Sequence, residues 1–118
     1  MTNDAMARCL AALHACSSAC DRCAVACLRE VDVAHMARCI ALNLDCAALC
    51  HTAAAVVARA SELIPAVCTA CAEACELCAA ECEQHAMTHC QDCAASCRAC
   101  AAVCREVSTR ALAGEASA

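Results

Sequence analysis

The sequence predicts an all-α protein, an antiparallel up-down-up-down four-helix bundle with a cysteine-lined core. Three observations predict it. Helix formers fill a chain of 118 residues that holds one Gly and one Pro, so the strongest helix breakers are nearly absent. The residues that break or cap helices fall in a few short clusters, which leaves connections suited to antiparallel neighbours. Eighteen cysteines recur mostly at spacings of three and four, the period of a helix seam.

The first helix is expected from Asn3 or Asp4 to Glu30, with Met6, Cys9, Leu13, Cys16, Cys20, Cys23 and Cys27 on its seam. Asp32 is placed to cap a second helix from Val33 to about Ala60, whose seam reads Met36, Cys39, Asn43, Cys46, Cys50, Ala53 and Val57. Ser61 can cap a third, with Pro65 tolerated near its first turn. It ends near Gln84, and Ile64, Cys68, Cys71, Cys75, Cys78, Cys82 and His85 fall on consecutive a and d positions. Thr88 to Gln91 matches the T-x-x-Q capping box and starts a fourth helix to about Arg110, with Cys90, Cys93, Cys97, Cys100, Cys104 and Val107 on its seam. One domain, 1–118, is expected, with 110–118 a flexible tail.

Every cysteine therefore takes a position where a bundle helix normally carries leucine. Several classes are disfavoured by the rest of the composition. A secreted disulfide scaffold fits badly: MTNDAMARCLAALHAC has no basic n-region, uninterrupted apolar stretch or Ala-x-Ala site, which points to the cytoplasm, where thiols stay reduced. Neighbours three or four apart on one helix also stand about 5–6 Å apart at Cβ, too far for a disulfide at about 3.8 Å. A net charge of -5 without any aromatic residue offers no basic stripe or stacking surface for nucleic acid. No charge-free apolar run of about 18 residues suggests a membrane span.

A core of soft donors selects Cu(I), Zn(II) or iron-sulfur clusters. Structural zinc usually sits on CxxC turns or closed four-ligand sites, and thiols strung along helices are not expected to form discrete groups of four. Iron-sulfur loops of the C-x2-C-x2-C kind followed by proline are absent. Cu(I) accepts two or three thiolates, and cysteines at i and i+4 lie one above the other. Cys16/Cys20, Cys23/Cys27, Cys46/Cys50, Cys71/Cys75, Cys78/Cys82, Cys93/Cys97 and Cys100/Cys104 are thus candidate clasps. Unpaired buried thiolates are costly, but one Cu(I) per thiolate leaves the interior neutral, so a load near one ion per cysteine is allowed.

The two ends differ. His35, Met36, His85, Met87 and His89 gather near Cys27, Cys82 and Cys90, whereas Met6, Leu10, Leu13, Val56, Val57, Leu63, Ile64, Val67 and Val107 form an apolar plug opposite. Copper is expected to pass through the His/Met end. The metal-binding candidates are the eighteen cysteines with His85, His89, Met36, Asn43 and Asp45, the last two as oxygen donors. His14 and His51 read as surface or interhelical groups. Glu73, Glu76, Glu81, Arg98 and Arg105 read as solvated faces.

The seams CSSACDRCAVAC, CIALNLDCAALC, CTACAEACELCAAEC and CEQHAMTHCQDCAASCRACAAVC, which together cover nearly the whole chain, resemble the bacterial copper storage proteins, in particular their cytosolic branch. The resemblance implies a homotetramer of bundles that each store many Cu(I) ions on interior thiolates without catalysis. It also implies that His85 and His89 lie at the mouth and that NLDC supplies some non-thiol coordination through Asn43 or Asp45. The CEQHAMTHC connection is less histidine-rich than in some relatives. Copper-recipient proteins or chaperones would be the partners. The alternatives are a Zn(II) or Cd(II) thiolate store and a thiol oxidoreductase, the latter disfavoured because its cysteine must be exposed.

Overall fold

The computed structural model describes residues 1–114. Four helices, α1 (Asn3–Leu28), α2 (Ala37–Ala58), α3 (Ile64–Cys82) and α4 (Thr88–Leu112), form a bundle 50 Å long and about 20 Å across. Partner numbers run in opposite directions along each neighbouring pair. Cys27 faces Cys39 and Cys16 faces Cys46 between α1 and α2; Cys39, Cys46 and Cys50 face Cys82, Cys75 and Cys71 between α2 and α3. Cys23 meets Cys90 and Cys16 meets Cys97 between α1 and α4, while Arg105–Glu76 and Arg98–Glu83 ion pairs tie α4 to α3 and to the residue just after it. The antiparallel up-down-up-down arrangement is the expected one.

The heptad seams hold throughout. All eighteen cysteines are buried, none more than 1% exposed. Ala47, Ala53, Ala72, Ala79, Ala94 and Ala101 are buried beside them. These side chains add little bulk between helices, so the backbones approach closely and sulfurs on opposite helices reach one another.

Boundaries depart from expectation where local hydrogen bonding outweighs propensity. Thr2 caps α1, its Oγ1 accepting from the Ala5 amide at 3.1 Å, and α1 stops at Leu28, two residues before Glu30. Asp32 makes no side-chain cap; Val33–Met36 is a 3-10 turn that precedes α2 and puts Met36 fully inside. Val31, Asp32 and Val33 are weak helix formers, so the tighter turn takes over. Ser61 Oγ accepts from the Leu63 amide, and the helix opens only at Ile64. The Thr88/Gln91 box does not form, because the Gln91 amide donates to the His85 carbonyl at 2.6 Å. Helix α4 runs on to Leu112, so 110–112 are not a tail; residues 115–118 of the expected tail lie outside the described residues.

One stretch, Val33–Ala58, is long and apolar enough to cross a membrane, with mean hydropathy 1.6. It carries Arg38 and Asp45 and supplies one wall of the core, 44% of its apolar window being buried in the bundle.

The far end is closed by hydrocarbon. Leu13, Val57 and Ile64 are fully enclosed, Val56 and Val107 nearly so, with Met6, Leu10 and Val67 packed against them. Leu63 is the exception: it precedes the helix and is 56% exposed. Ser108 fastens α4 to α3 here, bonding Thr69 Oγ1 at 2.8 Å and the Pro65 carbonyl at 3.1 Å. Leu13→Ala is expected to cost about 2–5 kcal/mol of metal-free stability by opening a cavity, measured by urea unfolding, with metal capacity unchanged. Loss of capacity along with stability would show that the plug is part of the binding region.

Candidate metal centre

The helix period places each thiol on the bundle axis, and the alanines beside it bring four seams together. The result is a column of sulfur with neighbouring Sγ atoms 3.6–4.0 Å apart, from Cys23–Cys90 (3.9 Å) near one end through Cys39–Cys82 (3.7 Å), Cys20–Cys97 (3.7 Å) and Cys46–Cys75 (3.6 Å) to Cys50–Cys71 (3.8 Å). Cys16 reaches across the axis, lying 3.9 Å from Cys46, 3.9 Å from Cys75 and 3.8 Å from Cys97. All eighteen thiols are free.

Quartets form, contrary to the expectation that helical thiols would not gather in fours. Cys16, Cys46, Cys50 and Cys75; Cys16, Cys20, Cys46 and Cys97; Cys20, Cys78, Cys93 and Cys97; Cys50, Cys71, Cys75 and Cys100; and Cys23, Cys27, Cys39 and Cys90 each have sulfurs within 4.8 Å of one another. Spacing along one helix gave no hint of them, because each of these five draws on three helices. The first four share sulfurs with one another; the last shares none with those four. Every i,i+4 clasp is also present. Four of the pairs, Cys23/Cys27, Cys78/Cys82, Cys93/Cys97 and Cys100/Cys104, have separations of 3.9–4.0 Å. With metal–sulfur bonds of about 2.3 Å, a linear ion needs its sulfurs about 4.6 Å apart and a trigonal one about 4.0 Å. The spacing thus favours three-coordinate, shared ions over isolated linear clasps.

Asn43 joins the outer part of the column to the inner. It is fully buried; its Oδ1 accepts from Cys78 at 3.1 Å, Cys93 at 3.2 Å and Cys82 at 3.7 Å, and its Nδ2 donates to Cys39 at 3.7 Å. Asp45, expected as a second oxygen donor, is on the exposed face instead. Two residues further on, it points about 200° around the helix from Asn43, so its carboxylate is directed away from the column.

Burial leads the electrostatics at three thiols, and hydrogen bonds between cysteines lead elsewhere in the column. Burial pushes the Cys9 and Cys27 thiols up from 9.0 to about 12 and Cys90 to about 11, and neighbouring cysteines add to the effect. Cys39 goes the other way, drawn down by hydrogen bonds from Cys23 and Cys82, as do Cys16, Cys46, Cys68, Cys71 and Cys93 through their own cysteine neighbours.

The His/Met end has two histidines that touch the interior. His89 Nδ1 lies 3.4 Å from Cys23 Sγ, 3.5 Å from Cys90 Sγ and 4.0 Å from Cys27 Sγ, while Nε2 is 2.9 Å from Glu30 Oε1. His85 is buried with Nε2 2.7 Å from Glu81 Oε2, and its ring meets the exposed His35 edge-on at 5.4 Å. Met36 is fully buried and Met87 partly so. Glu81, expected on a solvated face, is 7% exposed; His85 and Arg38 hold its carboxyl below the usual range, Arg38 bonding it at 2.7 Å. His14 is exposed, and His51 is 4.0 Å from Asp21 on α1.

Residues 2–109 match the family model described as copper storage protein. A cytosolic copper storage protein from Streptomyces lividans, solved with five coppers, is 40% identical, with 90% of this chain and 93% of that chain covered and a TM-score of 0.87. The structure of the Streptomyces lividans copper storage protein loaded with 10 copper equivalents gives 39% identity, coverage of 90% and 85%, and a TM-score of 0.82. Copper-free copper storage protein 3 from Bacillus subtilis gives 37%, coverage of 85% and 95%, and 0.81. A comparison with curated proteins finds no match.

Proposed function

The chain belongs to the copper storage protein family, and from that premise we propose that it stores Cu(I) in the cytosol, near one ion per cysteine, on thiolates inside the bundle. The observation that carries this is a set of eighteen buried, free thiols, most of them in a column with neighbouring sulfurs 3.6–4.0 Å apart. The proposed ligands are these cysteines, with His89, His85, Met36 and Asn43 supplementing them. Each Cu(I) cancels one thiolate charge, so the filled core stays neutral, and each thiol that binds releases its proton. Ions pass the His/Met end, since the opposite end is packed with hydrocarbon. No catalytic step is assigned.

The quartets favour one second reading, a zinc store: a tetrahedron with bonds of about 2.3 Å has edges near 3.8 Å, within the observed range of sulfur separations. Charge separates the two, because Zn(II) neutralises eighteen thiolates with about nine ions. Anaerobic titration against a competing chelator is expected to load Cu(I) tightly to nearly one per cysteine. Saturation at a few ions, or Zn(II) outcompeting Cu(I), would overturn the storage reading.

Self-association as a homotetramer is part of the proposal. Leu28, Leu44, Leu77 and Val25 are about half exposed, leaving apolar surface on α1, α2 and α3 for helix packing between subunits. Copper recipients or chaperones would draw from the same open end.

A further inference from the structure

We propose that Glu30, on the connection between α1 and α2, is the positioning residue that makes His89 Nδ1 a metal donor. The inference rests on the storage reading and adds to it a residue outside the column. A neutral imidazole carries one N–H, and its other nitrogen accepts or ligates. The ionised Glu30 carboxylate only accepts, so at 2.9 Å it takes the hydrogen bond from Nε2–H. The proton is thereby fixed on the outer nitrogen, and the Nδ1 lone pair faces Cys23, Cys90 and Cys27 at 3.4, 3.5 and 4.0 Å. All three of those sulfurs belong, with Cys39, to the one quartet that shares no sulfur with the other four described. A carboxylate behind a ligating histidine sets both its ring orientation and its tautomer.

Without Glu30, the outer nitrogen meets only water. The ring can then move its proton to Nδ1, where it would donate to sulfur rather than to a metal, or swing outward. His89 has room for this, its side chain being 24% exposed. The second histidine is held differently. Glu81 stands one helical turn before His85 and is itself held by Arg38, so His85 is anchored within its own helix, whereas the anchor of His89 comes from a connection 59 residues away in sequence. The Glu30 amide is tied to the Cys27 carbonyl at 3.1 Å, which keeps the carboxylate beside the ring while its side chain remains about a third exposed. Changes there should spare the fold.

The test compares the wild-type chain with Glu30→Gln, which keeps an acceptor oxygen, and Glu30→Ala, which does not. In metal-free protein at a pH of about 8, where imidazole is neutral, two-bond proton–nitrogen spectra should show His89 as the Nε2–H tautomer in wild type and Glu30→Gln, and as a mixture in Glu30→Ala. Stopped-flow Cu(I) uptake should show the first phase slowed about tenfold in Glu30→Ala, with total capacity unchanged and no further slowing when His89→Ala is already present. A proton on Nδ1 in wild type, an unmoved tautomer ratio in Glu30→Ala, or an equal slowing in the His89→Ala background would each overturn the proposal. A wild-type capacity of only a few ions would sink the storage reading alone and leave the tautomer result to stand by itself.

Discussion

Raising the pH of the metal-free protein from about 8 to 12 unfolds the bundle, while the copper-loaded protein stays helical through the same range. A buried thiol whose pKa stands above its unfolded value stabilises the fold at every pH below that unfolded value. The stabilisation is lost as pH climbs through the folded value. Cys9 and Cys27 stand at about 12 and Cys90 at about 11, against an ordinary 9.0, with burial the main cause. The window therefore opens near pH 9 and closes near pH 12. Cys9 alone represents about 4 kcal/mol over that range, and a domain of this size holds only about 5–15 kcal/mol in total. In the loaded protein the sulfurs are already thiolates neutralised by metal, so hydroxide has no proton left to remove. Circular dichroism against pH, run on both forms, reads the difference. A metal-free protein that keeps its helicity at the alkaline limit, with thiolate absorbance fully developed, would show that the interior tolerates charge and would contradict the burial argument.

Replacing Cys16 and Cys97 together with alanine lowers copper capacity by about four ions rather than two. Each sulfur in a shared network bridges more than one ion, so removals are not additive in the number of thiols deleted. Cys16 has three sulfur neighbours within 3.9 Å, Cys97 lies within 4.0 Å of Cys16, Cys20 and Cys93, and the two take part in three of the quartets. The matched control is Cys9→Ala with Cys68→Ala at the hydrocarbon end, where about two ions should be lost. Copper-to-protein ratios after gel filtration distinguish the cases. Equal losses in the two double variants would mean that ions are held in separate clasps.

How much of this was legible in the sequence depends on the range of the interaction. The seams were readable because a heptad position is a property of one helix, and Cys9 or Cys104 could be assigned to the core without knowing its neighbours. The sealed end was readable for the same reason, apart from Leu63, which lies just outside the helix it was assigned to. The quartets were not, since they depend on the stagger of at least three helices, which no single spacing encodes. Glu81 shows a partial signal: its place among acidic residues of α3 suggested solvent, yet it stands four residues before His85, a spacing that brings two side chains together on a helix face. Glu30 carried no local signal toward His89. The T-x-x-Q motif at Thr88 was misleading because a nearby carbonyl, that of His85, competes for the glutamine amide. Asn43 and Asp45 look alike as oxygen donors in the sequence, although helix geometry alone separates them onto opposite faces.

The hydrocarbon plug at one end also fixes an order of events. With entry at the His/Met end, as proposed, a column closed at the other end works as a stack: the ions that arrive last sit above all the others and must depart first. Copper lodged beside Cys9 and Cys68 would therefore be the oldest in the molecule and the slowest to exchange with fresh isotope.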